Sequence, residues 1–176
     1  RTPVVRTVHN VKPHEEGSWI ERHLLAWLER RTVLWFVLNE TTPTPDPART
    51  VLIPHGHYRG WYPVPAVEPV SGRLLSFGVV RPYKGLDDLV TSFRGLDPSE
   101  ELSLRICGRP ESAEAAALVR ELAGDDPRIG LDLRFVPDDE LAAELRRAEI
   151  VVLPYREIHN SGAALLALSF NRPVLL

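Results

Sequence analysis

Methionine is absent from all 176 residues, and cysteine occurs once, at Cys107. A single thiol excludes an internal disulfide framework and a cysteine-rich zinc site. No apolar run approaches the roughly 18 residues that span a bilayer. No leader pattern opens the chain, so the cytoplasm is the default compartment. An excess of positive charge is missing too: 21 Lys and Arg against 24 Asp and Glu leave a net charge of -3. No whole-protein basic field therefore draws a nucleic acid. Neither G-x-G-x-x-G nor the P-loop pattern occurs, which removes the usual dinucleotide and ATP fingerprints. His55-x-His57 supplies only two metal ligands, with no acidic cluster beside them, so no metal site is expected. What is there is 44% hydrophobic and 26% charged, the balance of a globular chain. The length suits one domain, or one domain with a piece of another.

From about Arg73 the apolar periodicity alternates between strand and helix. Strands are predicted over 74–79, 102–107, 131–136, 150–153 and from 173 onward. Helices are predicted over 86–93, 111–123, 138–148 and 162–170. Leu86, Leu89, Val90 and Phe93 recur at i, i+3, i+4 and i+7. Helix 138–148 carries acids in its first turn and Arg146-Arg147 in its last, which suits the helix dipole. Strict alternation with short loops implies a parallel sheet covered on both faces. The first 57 residues read differently. Two strands, 4–8 and 33–38, flank a helix near 19–30 with Leu24, Leu25 and Leu28 as its apolar stripe. The stretch 39–49 holds three Pro and three Thr and reads as a loop. Two strands make no stable sheet alone. Residues 1–57 are therefore read as the remnant of a first domain, and 58–176 as a second domain truncated at its end, with 58–69 as a Pro-rich linker.

Two segments sit where a strand's C-terminal end meets a helix, the place that ligands occupy in open α/β sheets. The first is Phe77-Gly78-Val79-Val80-Arg81-Pro82-Tyr83-Lys84-Gly85. Its two cations, three residues apart, can reach one anionic group. Gly78 allows close backbone approach, and Gly85 starts a helix whose amides favour phosphate. Spacing alone leaves a solvated turn equally open, and an exposed Lys84 is expected to bury little. The second is Pro154-Tyr155-Arg156-Glu157-Ile158-His159-Asn160-Ser161-Gly162-Ala163-Ala164. Small residues at Ser161, Gly162 and Ala163 open the helix amides to an anion, and Glu157 can accept from sugar hydroxyls. The alternative is Ser161 as a plain N-cap and Glu157 as a surface acid. Helix 21–31 carries Arg22, His23, Arg30 and Arg31. Peripheral contact with an anionic membrane is one use of them; a solvated face, shared with Glu21 and Glu29, is the other.

Taken in order, these segments resemble the C-terminal domain of the GT-B glycosyltransferases, and among them glycosyltransferase family 4, the group 1 transferases. The resemblance rests on Gly78 with Arg81-Pro82-Tyr83-Lys84-Gly85, on Leu104-Arg105-Ile106-Cys107-Gly108 and on Val136-Pro137-Asp138-Asp139-Glu140-Leu141. It continues through Ala148-Glu149-Ile150-Val151-Val152-Leu153-Pro154, Ser161-Gly162 and Asn171-Arg172-Pro173-Val174. It covers roughly residues 50–176. Earlier, Thr7-Val8-His9-Asn10 looks like the strand end whose His faces the donor sugar, and Ile53-Pro54-His55-Gly56 like the interdomain crossover.

The resemblance implies an α/β, GT-B type fold: two Rossmann-like domains with doubly wound parallel sheets, the first, acceptor-side one only partly present. It implies a metal-independent hexosyltransferase with no cofactor, of the kind used in polysaccharide biosynthesis. Such an enzyme moves a sugar from a nucleotide diphosphate-sugar to a glycan, lipid-linked or small-molecule acceptor, with retention. It assigns Arg81 and Lys84 to the diphosphate and His9 to the donor sugar. Gly78, Glu157, Ser161, Gly162 and Ala163 fall to donor binding. Two positions depart from the family. Leu166 stands where a glutamate binds the nucleotide ribose, and Ile158 stands for the other glutamate, with Glu157 beside it. These departures keep a second reading open, a non-catalytic GT-B-like module that binds a nucleotide or a partner protein.

Overall fold

The computed structural model describes residues 2–8, 18–63, 65–156 and 160–176. The chain divides into two compact units, one built on Arg1–Gly56, the other on His57–Glu157 and Ser161–Leu176.

In the first unit, β1 (Val4–Val8), α1 (Trp19–Arg31), β2 (Thr32–Val37) and β3 (Thr50–Leu52) follow in chain order. The three strands are parallel and ordered β1-β2-β3. Val8, Trp35 and Val37 form the small core. The third strand is absent from the sequence reading. Its only signal is the triplet Val51-Leu52-Ile53, which follows directly on the Pro- and Thr-rich stretch. That stretch ends in a 3-10 turn, Pro47–Arg49, whose start Asp46 caps by accepting from the Ala48 amide at 3.0 Å. α1 begins at Ser18, whose hydroxyl accepts from the Glu21 amide at 3.2 Å. None of its residues is buried. Leu25 and Leu28 are half-buried, whereas Leu24 is exposed with Trp19, Ile20 and Trp27.

In the second unit strands and helices alternate: β4 (Arg73–Phe77), α2 (Leu86–Arg94), β5 (Ser103–Cys107), α3 (Ala113–Ala123), β6 (Ile129–Asp132), α4 (Asp138–Arg147), β7 (Ile150–Val152), α5 (Gly162–Ser169) and β8 (Val174–Leu175). All pairings are parallel, in the order β6-β5-β4-β7-β8. The period of two along each strand sends neighbours to opposite faces. Leu104 and Ile106 join Val90, Phe93 and Val119 in one core. Leu75, Cys107 and Val151 join Leu145, Leu153 and Ala167 in the other. The sheet is thus doubly wound. β6 stops at Asp132 rather than at 136, because its partner β5 ends at Cys107, opposite Asp132. Phe135, read as a strand residue, is 72% exposed.

β4 comes first in this sheet and lies between β5 and β7. From β4 the chain winds outward to β6, then returns to β7 on the other side. The order reverses between β4 and β7, which makes the crevice beyond their C-terminal ends the topological switch point. Both segments singled out in the sequence leave the sheet there.

Candidate functional site at the switch point

The chain leaves β4 through Gly78 and reaches α2 by a 3-10 turn, Pro82–Lys84. Lys84 does not point into solvent. The residue is only 9% exposed, which corrects the expectation of an exposed turn lysine. Its Nζ lies 2.6 Å from where a Cβ on residue 78 would stand, and Gly78 has φ 103°. A side chain at position 78 would displace the ammonium from this spot, and the positive φ also favours glycine there. The same Nζ sits 5.4 Å from the centre of the Tyr155 ring. Among the described residues no carboxylate pairs with Lys84. Burial, helped by the nearby charge of Arg81, pushes the ammonium from 10.5 down to about 8. A desolvated cation without a counter-charge is unfavourable, and an anion arriving in the crevice relieves that penalty. Arg81 differs: its side chain is more exposed and already pairs with Glu111 at 3.3 Å.

The second segment is stapled to the first. Gly85 has φ 64°, and a Cβ there would stand 2.1 Å from the Pro154 carbonyl oxygen. The Arg156 amide donates to the Tyr83 carbonyl at 2.9 Å. The Arg156 guanidinium donates to the Pro82 carbonyl at 3.0 Å and to Asp87 and Asp88 at 2.7 Å each. Those acids fill the first turn of α2. Phosphate-favouring amides expected behind Gly85 are thus faced by carboxylates and a neutralising arginine.

α5 offers the open helix start instead. Ser161 caps it, its Oγ accepting from the Ala164 amide at 3.1 Å. The amides of Gly162 and Ala163, the first two of the helix, have no partner among the described residues. Tyr155 links these parts. Its ring lies 6.1 Å from that of Tyr83. Burial pushes its phenol above the ordinary value.

Of the residues predicted from sequence, Gly78, Arg81 and Lys84 lie on the segment that leaves β4, and Ser161, Gly162 and Ala163 open α5 after the neighbouring β7; Tyr155 of the second segment faces Lys84. His9 and Glu157 lie outside the described residues. Leu166, at the position of the family's ribose carboxylate, is buried in the apolar cluster with Leu153 and Phe170. Tyr155 and Arg156 were not singled out by sequence. The signal for Arg156 was Asp87-Asp88, two adjacent acids opening a helix after an Arg/Lys turn. Among the described residues no three His, Cys, Asp or Glu side chains cluster to hold a metal. No helix among them is long and apolar enough to cross a membrane.

No protein-family model matches the chain. It is 47% identical over 176 residues to a GDP-mannose:glycolipid 4-beta-D-mannosyltransferase of Xanthomonas campestris pv. campestris, covering 99% of this chain and 50% of that protein. A second protein of that name and species is 46% identical over the same shares. The chain spans about half the length of the curated relatives it matches. Among solved structures, Anabaena HepE in complex with UDP and glucose is 16% identical, with a TM-score of 0.72 over 98% of this chain and 52% of that one. Sucrose-phosphate synthase of Thermosynechococcus elongatus is 19% identical, with a TM-score of 0.69 over 97% and 49%. WaaG, a glycosyltransferase involved in lipopolysaccharide biosynthesis, is 18% identical, with a TM-score of 0.66 over 98% and 56%. At such identities the structures speak for the fold alone.

Proposed function

We propose, from the premise that this chain is about half of a GT-B glycosyltransferase, that the whole protein transfers mannose from GDP-mannose to a glycolipid. The observation that carries the reading is the buried Lys84 ammonium at the switch point, which pairs with no carboxylate among the described residues. A nucleotide diphosphate-sugar brings two phosphates. As the sugar–phosphate bond breaks, negative charge grows on the leaving diphosphate. Lys84 and the Gly162 and Ala163 amides stabilise that charge in place, which is the largest catalytic contribution in many enzymes. Arg81 joins them once it leaves Glu111. No metal is assigned a role. His9 is proposed to face the donor sugar and Glu157 the sugar hydroxyls, both from the family resemblance. Residues 1–57 belong in this reading to the acceptor-side domain and 58–176 to the donor-binding domain.

Membrane contact is part of the proposal. α1 exposes Trp19, Ile20, Leu24 and Trp27, and the Arg31 guanidinium lies 4.3 Å over the Trp27 ring. With Arg22 and Arg30 this is the composition of a helix lying in an anionic interface, where a glycolipid acceptor resides.

The curated relatives' name specifies a β-linked product. The mannosyl group of GDP-mannose is α-linked, so the same donor and linkage here require inversion, in place of the retention that the family 4 resemblance implies. Full-length protein given GDP-mannose labelled with carbon-13 and a glycolipid acceptor should release GDP and form a β-mannoside, read from the one-bond C1–H1 coupling. Release of GDP with an α-linked product keeps the transferase and overturns inversion. Binding of GDP without any transfer points to the non-catalytic module.

A further inference from the structure

Among the described residues no carboxylate holds the Lys84 ammonium, yet it occupies one defined spot, over Gly78 and under an aromatic face. We infer that the Tyr155 ring is a positioning residue that holds the Lys84 ammonium at the switch point for a nucleoside diphosphate, by offering it a π face instead of a counter-ion. The inference rests on the proposed function, because it presumes that Lys84 meets the diphosphate.

The chemistry favours a ring over a carboxylate at this place. A carboxylate beside Lys84 would neutralise it and repel the incoming diphosphate. An aromatic face attracts the cation through its quadrupole, carries no net charge, and excludes water. The lysine stays charged, desolvated and available. The ring is half-buried, and the Tyr83 ring lies 6.1 Å away. Tyr155 thus brings an aromatic face from the second segment to the cation of the first. Among the described residues, the other charged and titratable groups nearby are Arg81 and Tyr83 on the lysine's own turn, Glu111, which pairs with Arg81 at 3.3 Å, Asp87 and Asp88 on α2, and Arg156 after β7. Arg156 takes up both acids at 2.7 Å. Neither acid is thus left over as a counter-ion for Lys84.

The test is GDP binding by calorimetry to the full-length protein between pH 6.5 and 9.5, for wild type, Tyr155→Leu, Tyr155→Phe and Lys84→Ala. Wild-type affinity should be flat at the acid end and fall once pH passes about 8. Tyr155→Leu keeps an apolar neighbour but loses the π face. It should bind GDP about tenfold more weakly, with its fall-off about half a pH unit lower, because the charged lysine has lost a stabilising partner. Tyr155→Phe keeps the face and loses only the hydroxyl, so its fall-off should match wild type and its affinity stay within about threefold. If Tyr155→Leu falls off at the wild-type pH, or Tyr155→Phe is as impaired as Tyr155→Leu, the ring does not position the lysine. Wild-type binding by Lys84→Ala overturns the diphosphate role of Lys84 and this inference with it. Loss in Lys84→Ala with none in Tyr155→Leu overturns this inference alone. Melting curves identify any unfolded variant, and the Tyr155→Phe comparison still decides the matter if Tyr155→Leu does not fold.

Discussion

Lys84→Met is expected to lower sugar transfer about a hundredfold and, at neutral pH, to raise the melting temperature. The two effects have opposite signs because one charge does both jobs. Folding carries the lysine into a place where its proton is held only up to about pH 8, against 10.5 when unfolded. Below pH 8 both states are charged, and the folded state bears the full cost of the buried ammonium. That cost is on the order of 3 kcal/mol. Between about pH 8 and 10.5 the folded chain has released a proton that the unfolded chain still holds. The wild type therefore gains stability from this group as pH rises through that window. Methionine keeps most of the stem, so little cavity opens, and it has no charge to bury. Its stability advantage should be largest below pH 8 and shrink toward pH 10. Melting curves of both proteins at pH 7, 8.5 and 10, with GDP release in parallel, check the sign and the trend. A melting temperature that falls in step with activity would make Lys84 a structural residue.

The same lysine shows what the sequence does and does not disclose. Alternating apolar runs separated by short polar turns are a local property, so the alternation of strands and helices from Arg73 onward is readable in one dimension. The strand–turn–helix setting of Lys84 and Ser161 is equally local, and it locates the site. Burial of the Lys84 side chain is not local. The spot that its ammonium occupies is left open by Gly78 six residues earlier and is covered by Tyr155, which follows β7 about 70 residues later. Nothing in Arg81-Pro82-Tyr83-Lys84 distinguishes a lysine folded inward from one in water. The third strand of the first unit was missed for a related reason. Three residues are too few for a period of two to register, and β2 defines Thr50–Leu52 as a strand only by pairing with it. The early end of β6 is set in the same way by the end of β5. Each divergence occurs where a neighbour distant in sequence decides the outcome.

Gly85→Ala should be strongly damaging to the second unit, and it tests whether the two segments act as one site. At φ 64° a side chain is strained by roughly 1 kcal/mol whatever surrounds it. Here a Cβ would also stand 2.1 Å from the Pro154 carbonyl oxygen, and backbone cannot swing away as the end of a long side chain can. The turn holding Lys84 must then part from the segment holding Tyr155. Together these effects should cost about 2–4 kcal/mol, or roughly 5–15 °C in melting temperature. Gly60→Ala is the matched control. Gly60 also has a positive φ, 82°, but among the described residues, its two chain neighbours aside, none comes within 4 Å of its would-be Cβ, so it should show the backbone strain alone. GDP affinity separates stability from site geometry. Parting the segments lifts the Tyr155 ring from the Lys84 ammonium and should weaken GDP binding about tenfold at temperatures where the variant is still folded. Gly60→Ala should bind GDP as the wild type does. If Gly85→Ala melts and binds like Gly60→Ala, the close approach of Gly85 to Pro154 does not hold the two segments together.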